Sequence, residues 1–156
     1  MHRPSNRIFL GAVAGALSVL LFHQTSLQIL YWLGGAPQPA FRLAHVPPFG
    51  MPMMVSLTFW GAVYGAVFGV ISRRLPGRLY WYGLPLGLFA LLMAWFIFLP
   101  LRGLPIAFGG ALPPILRSIM AYSLWGIGVT LLLPILTPRR VGRPRRGPVT
   151  PPRVTA

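Results

Sequence analysis

The sequence predicts an all-α membrane protein of four transmembrane helices, arranged as two parallel two-helix repeats. Three observations predict it: four apolar stretches of membrane-crossing length, a near absence of charge other than arginine, and a shared order of elements in the two halves. The chain has 156 residues, 55% of them hydrophobic, with a mean hydropathy of +0.68. Charged residues make up 9% and all are Arg, whereas a soluble domain carries about a quarter, of both signs. That is too little to build a water-facing shell, so the solvent for most of the surface is lipid. One compact unit is expected at this length.

Crossing ~30 Å of hydrocarbon takes about 20 apolar residues in a helix. Spans are expected at about 8–30, 51–71, 79–99 and 115–136, which makes residues 1–136 one four-helix bundle. The first span is apolar or small as far as Phe22 and then turns polar through His23, Gln24, Thr25, Ser26 and Gln28. Arg3 and Arg7 ahead of it also suit a cleaved signal peptide. No A-x-A-like site follows, however, and three more spans come after, so an uncleaved helix is the preferred reading. Pro85 and Pro134 fall near span ends and should loosen a first or last turn. The segment Pro47-Pro48-Phe49-Gly50-Met51-Pro52 should be stiff and non-helical until after Pro52, capping the bundle rather than re-entering it.

Orientation follows from the arginines. Arg3, Arg7, Arg73, Arg74, Arg78, Arg139, Arg140, Arg143, Arg145, Arg146 and Arg153 fall on one side, and only Arg42, Arg102 and Arg117 on the other. Both termini are therefore expected in the cytoplasm. Tyr31 and Trp32 at one end of the first span, and Tyr80, Trp81 and Tyr82 at one end of the third, suit interfacial belts. Arg to the exclusion of Lys, with 18 Gly and 18 Pro, suggests a GC-rich bacterial genome. Residues 137–156, rich in Arg and Pro, should form a disordered tail. Arg139 and Arg140, together with Arg73, Arg74 and Arg78, are placed to meet anionic lipid headgroups, at about 1 kcal/mol each. Gly142-Arg143-Pro144-Arg145 is similar to the core of an AT-hook, but lipid contact is the default reading of such a tail and nucleic-acid binding is not expected.

The halves match in order. Arg7, Gly11 and Gly15 open the first span as Arg78, Gly83 and Gly87 open the third. Ala40-Phe41-x-x-Ala44-His45-Val46-Pro47-Pro48 parallels Ala107-Phe108-x-x-Ala111-Leu112-Pro113-Pro114, and each is followed by a serine, an aromatic and a Trp-Gly pair at Trp60-Gly61 and Trp125-Gly126. Each half crosses twice, so a pseudo-two-fold axis along the membrane normal would relate them, and a binding site is expected at their interface.

The missing residue types exclude much chemistry. With no Asp or Glu there is no carboxylate acid–base pair, hard-metal cage or acidic proton relay. With no Cys and no Lys there is no thiol nucleophile, zinc cluster or Schiff base. No enzyme, metal or cofactor is expected; haem lacks a second axial ligand at the right depth, since His45 lies in a Pro-rich loop.

Two groups of residues remain. Gly11 and Gly15 share a helix face, as do Gly61, Gly65 and Gly69, and spacing by four lets two backbones approach closely. Packing within the chain is preferred over a dimer face. Trp60, Trp125 and Gly126 are read as bundle core, the indoles needing interior partners. His23, Gln24 and Gln28 form a polar intramembrane cluster, with Gln24 and Gln28 on one face. Such groups hydrogen-bond across the bundle or line a wet cavity; interhelical bonding is the preferred reading.

Three stretches, Leu21-Phe22-His23-Gln24, Val46-Pro47-Pro48-x-Gly50-x-Pro52 and Ser56-Leu57-x-Phe59-Trp60-Gly61-x-x-x-Gly65, resemble uncharacterised small four-helix inner-membrane proteins of GC-rich proteobacteria. The resemblance implies location and architecture but no activity. The expected role is an accessory or scaffolding subunit that contacts a larger membrane complex through its Gly-rich faces. The alternative is a small dimeric channel or transporter for a neutral or anionic solute, with Arg102 or Arg117 drawing anions toward His23 and Gln24. A cavity around His23 favours transport; a filled bundle favours scaffolding.

Overall fold

The computed structural model describes residues 4–47 and 49–137. Four helices are long and apolar enough to cross a membrane: α1 (Asn6–Trp32), α2 (Met53–Ile71), α3 (Leu79–Leu101) and α4 (Leu112–Leu136). Between α1 and α2 a short ribbon pairs β1 (His45–Val46) antiparallel with β2 (Met51–Pro52). The stretch expected to be stiff and non-helical thus forms a small hairpin. Met53 N–H donates to Ala44 C=O at 2.9 Å, which ties the start of α2 to it. The basic tail, with Arg139 and Arg140, lies outside the described residues.

The prolines explain where two helices begin. Pro52 has an extended ψ of 136° and stands just before α2, so that helix begins at Met53 rather than Met51. α4 begins at Leu112 and takes Pro113 and Pro114 into its first turn, rather than starting after them at Ile115. The first-turn N–H groups have no intrahelical acceptor, so losing them to proline costs nothing there.

Large apolar side chains point outward around the whole circumference, among them Phe59, Val67, Leu88, Phe96, Leu116 and Ile135. The interior is narrow and is filled by Ala14, Val19, Phe68, Ala90, Trp125, Val129 and Leu133. Hydrocarbon exerts no hydrophobic drive between helices, so close packing and hydrogen bonds must hold the bundle.

Glycine supplies the close packing, once in each half. Gly11 and Gly15 of α1 lie against Gly61, Gly65 and Gly69 of α2; a Cβ on Gly65 would stand 2.8 Å from the Cα of Gly15. In the second half Gly83 and Gly87 of α3 straddle Gly126 of α4, where a Cβ would stand 2.6 Å from the Gly87 nitrogen. Both distances lie well inside ordinary contact, so neither position admits a side chain.

Two buried hydrogen bonds then join the halves. Trp125 Nε1–H donates to the Gly15 carbonyl at 3.0 Å, and the Ser18 hydroxyl donates to the Trp125 carbonyl at 2.6 Å. α1 and α4 are thus packed centrally, with α2 against α1 and α3 against α4. α2 and α3 barely approach each other.

Gly65→Val should break the α1–α2 contact. Overpacking costs about 1–3 kcal/mol or more, so the intact protein should melt at a clearly lower temperature in mild detergent. Val67→Leu on the exposed face serves as the control and should leave the melting temperature unchanged.

Candidate functional site

At the end of the bundle that carries the β-ribbon and the α3–α4 loop, the gap between α2 and α3 becomes a cavity of about 400 Å³. Ligand pockets fall in the range of roughly 300–1,000 Å³.

Helix irregularity positions part of its wall. α1 is α-helical as far as Ser18, widens to a π-helical turn over Val19–Gln24, and returns to α-helix at Thr25. α3 does the same over Ala94–Phe98. A π-turn fits an extra residue into the helix and re-aims the side chains beyond it. In α1 it carries His23 and Gln24 to the interior, where they are 7% and 3% exposed and line the cavity. The His23 ring meets Tyr122 edge-on, with centroids 5.1 Å apart, and its Nδ1 is buried without a hydrogen-bond partner.

The other walls follow helical spacing. Ser56, Trp60 and Tyr64 recur every fourth residue and so share one face of α2; all three line the cavity. On α4, Ser118 and Tyr122 are likewise one turn apart, and Trp95 Nε1–H of α3 donates to the Ser118 hydroxyl at 3.1 Å. Trp60 packs against Phe98 with centroids 4.8 Å apart, and Tyr64 against Phe89 at 5.9 Å. Aromatic side chains therefore close the seam that the α2 and α3 backbones leave open.

Three arginines, Arg42, Arg102 and Arg117, line this space. Arg102 follows directly on α3; its Nη2 lies 3.5 Å from the Ser56 hydroxyl, and its Nε is buried with no acceptor. Arg117 on α4 donates to the Gly35 carbonyl at 3.3 Å. The chain contains no Asp or Glu, so no side chain can neutralise these charges.

The connecting segments fold over the mouth. Gln28 accepts a hydrogen bond from the Ala40 N–H at 3.0 Å. Phe41 and Phe108, which occupy matching places in the two loops, both line the cavity, and both have φ = 55°. A bulky residue in the left-handed region is uncommon and costs energy; here it occurs twice, at positions the sequence had already matched.

The predicted residues thus separate. His23 and Gln24 meet in the cavity, whereas Gln28, one turn further along, is outside its lining and pins the loop instead. Trp125 is core and finds its partner at Gly15, but Trp60, expected in the core, is only half-buried and forms cavity wall. Gly11, Gly15, Gly61, Gly65, Gly69 and Gly126 are buried in packing, and Arg73, Arg74 and Arg78 are exposed at the opposite end of the bundle. Ser56, Tyr64, Trp95, Ser118 and Tyr122 were not foreseen. Their only signal is a serine and an aromatic one or two turns apart on otherwise apolar helices. No protein-family model matches the chain, and neither a curated protein nor a solved structure is similar to it.

Because the His23 Nδ1 has no partner, the ring is not needed to satisfy a neighbour. His23→Leu should insert and fold with a melting temperature at or above that of the parent. Loss of the folded protein would mark the ring as a structural hub instead.

Proposed function

We propose that this protein binds and translocates a small anionic solute, as a channel or transporter of the bacterial inner membrane with both termini in the cytoplasm. One observation carries the reading: Arg102 faces a cavity with an unsatisfied Nε, in a chain without a single carboxylate side chain. A cation drawn partly out of water without a counter-charge is costly, and such residues in membrane proteins mark solute paths. The missing counter-charge has to come from outside the chain. A guanidinium suits that task, because its fork matches carboxylate and phosphate geometry.

Orientation rests on the arginine asymmetry of the sequence. That asymmetry puts the cavity mouth outside the cytoplasm, where Arg42, Arg102 and Arg117 in its lining attract an anion. The lipid-facing Arg73, Arg74 and Arg78 anchor the other end among anionic headgroups.

An internal duplication would support the same reading, because parallel repeats place their site at the interface between them, and several likenesses between the halves favour one. Gly65 sits between Gly11 and Gly15 as Gly126 sits between Gly83 and Gly87, atom for atom in their nearest contacts. Phe41 and Phe108 share one unusual φ, and α1 and α3 each contain a π-turn. In this packing register Gly126 corresponds to Gly65, one helical turn from the Trp60-Gly61 match that the sequence suggests. The two-fold is also broken: α1 and α4 are in contact, whereas their counterparts α3 and α2 stand apart around the cavity. Both halves come from one chain, so building the site does not require a dimer.

The accessory role loses its expected surface. The glycines that were to dock a partner are occupied within the chain, as the packing alternative expected.

A bound anion stabilises the protein by mass action, by ~2.7 kcal/mol at a hundred times its dissociation constant. Across a panel of chloride, phosphate, acetate and benzoate, at least one anion should raise the melting temperature in a saturable way. Arg102→Gln should raise the anion-free melting temperature and abolish that dependence. A flat response to every anion, or co-purification of a stoichiometric larger partner from native nanodiscs, would sink the reading in favour of the accessory role.

A further inference from the structure

A second space continues the first through the α2–α3 seam. It is a groove of about 490 Å³ that opens on the lipid-facing side and shares Ser56, Trp60, Tyr64, Phe98 and Arg102 with the cavity. Beyond those shared residues its lining is wholly apolar: Val46, Pro47, Phe49 and Met51 from the β-ribbon region, and Met93, Ile97 and Leu101 along α3. Phe49, Ile97 and Leu101 are exposed, at 74%, 44% and 54%. The groove therefore runs along the outer surface of α3 and ends at a guanidinium that lacks a counter-charge.

From this juxtaposition we infer that the solute is an acidic amphiphile taken from the bilayer: its carboxylate or phosphate head sits against Arg102 and Ser56, and its hydrocarbon chain lies in the α2–α3 groove. The inference rests on the anion-binding reading above and specifies the substrate class of that same site.

Three features select this class. A groove that opens to the bilayer takes up a hydrocarbon chain with no loss relative to bulk lipid, so an acidic amphiphile brings its head to Arg102 along a path that its tail already occupies, whereas a water-soluble anion makes no use of the groove. Arg102 immediately follows the last residue of α3, at the level where amphiphile headgroups lie when α3 crosses the bilayer. Finally, the chain discriminates by charge. A zwitterionic lipid would bring its ammonium to a site with three guanidiniums and no carboxylate side chain, and an unpaired or repelled charge is an effective rejection device. An acidic head meets only attraction. The wall between groove and cavity consists of side chains, Trp60, Tyr64 and Phe98, rather than backbone, so passage from one to the other needs rotamer changes and no helix displacement.

The full-length protein in phosphatidylcholine nanodiscs, titrated with 9,10-dibromostearate, tests this directly, because bromine quenches nearby indole fluorescence. Saturable quenching is expected, and the component due to the wall should vanish in Trp60→Phe. Arg102→Gln should weaken half-saturation by about tenfold or more, as for loss of a charge-assisted pair. Arg102→Lys keeps the charge but not the fork and should fall between, which guards against a folding defect in the first variant. Met93→Phe with Ile97→Phe fills the groove; it should weaken dibromostearate several-fold and leave the thermal stabilisation by a short anion intact. Hexanoate or inorganic phosphate binding as tightly as the eighteen-carbon acid would overturn the bilayer route while leaving an anion site standing. Equal quenching by a brominated phosphatidylcholine would overturn the requirement for an acidic head. No saturable binding of any of these anions would overturn the anion site itself.

Discussion

Two helices in lipid approach closely only where nothing stands between their backbones, and both hairpins of this protein are built on that condition. At Gly65 against Gly11 and Gly15, and again at Gly126 against Gly83 and Gly87, a single methyl group would collide with main-chain atoms of the neighbouring helix. Much else depends on these contacts. They set each hairpin as a thin, rigid plate, bring Gly15 within reach of the Trp125 indole, and leave the bulky side chains of α2 and α3 free to face outward or across the gap. A chain with larger residues at these positions would need a thicker interface, and the Trp125–Gly15 bond would be out of range.

The second constraint is charge without a complement. Fourteen arginines and no acidic residue leave every cation to water, to lipid headgroups or to a ligand. Arg73, Arg74 and Arg78 are exposed and have access to the first two. Arg102 is drawn partly inward, and its weak contact with Ser56 supplies dipole but no charge. That absence leaves the arginines lining the cavity without a counter-charge from the chain, which gives the cavity a sign.

The number and extent of the helices were legible because length and composition alone decide whether a segment can cross hydrocarbon. The start of α4 was not, since Pro113 and Pro114 read equally well as a stop before a helix and as its first turn. The glycine stripes and the packing of the first two spans through them could be read from their spacing, but the register between the halves could not: Trp-Gly pairs align the halves by sequence, while packing aligns Gly65 with Gly126, one turn away. His23 and Gln24 stood out as polar groups in an apolar run. Gln28 shares a face with Gln24 on paper, yet the loop descends to meet it first. The π-turns that aim His23 inward have no compositional mark, because an extra residue in a turn is held by what the helix packs against, which here includes Ser18 and Gly128 at the α1–α4 contact.

The placement of the two buried hydrogen bonds that join the halves has a mechanical consequence. They lie together on the α1–α4 side, so the molecule is bound like a book, with a polar spine and an aromatic fore-edge along Trp60, Tyr64, Phe89 and Phe98. Rotation of one hairpin against the other about that spine moves atoms in proportion to their distance from it. A few degrees leave the Trp125–Gly15 bond nearly unstretched, while atoms a helix diameter of about 10 Å from it part by roughly 0.5–1 Å. The bundle is therefore stiff where its halves are tied and compliant where its cavity meets the membrane.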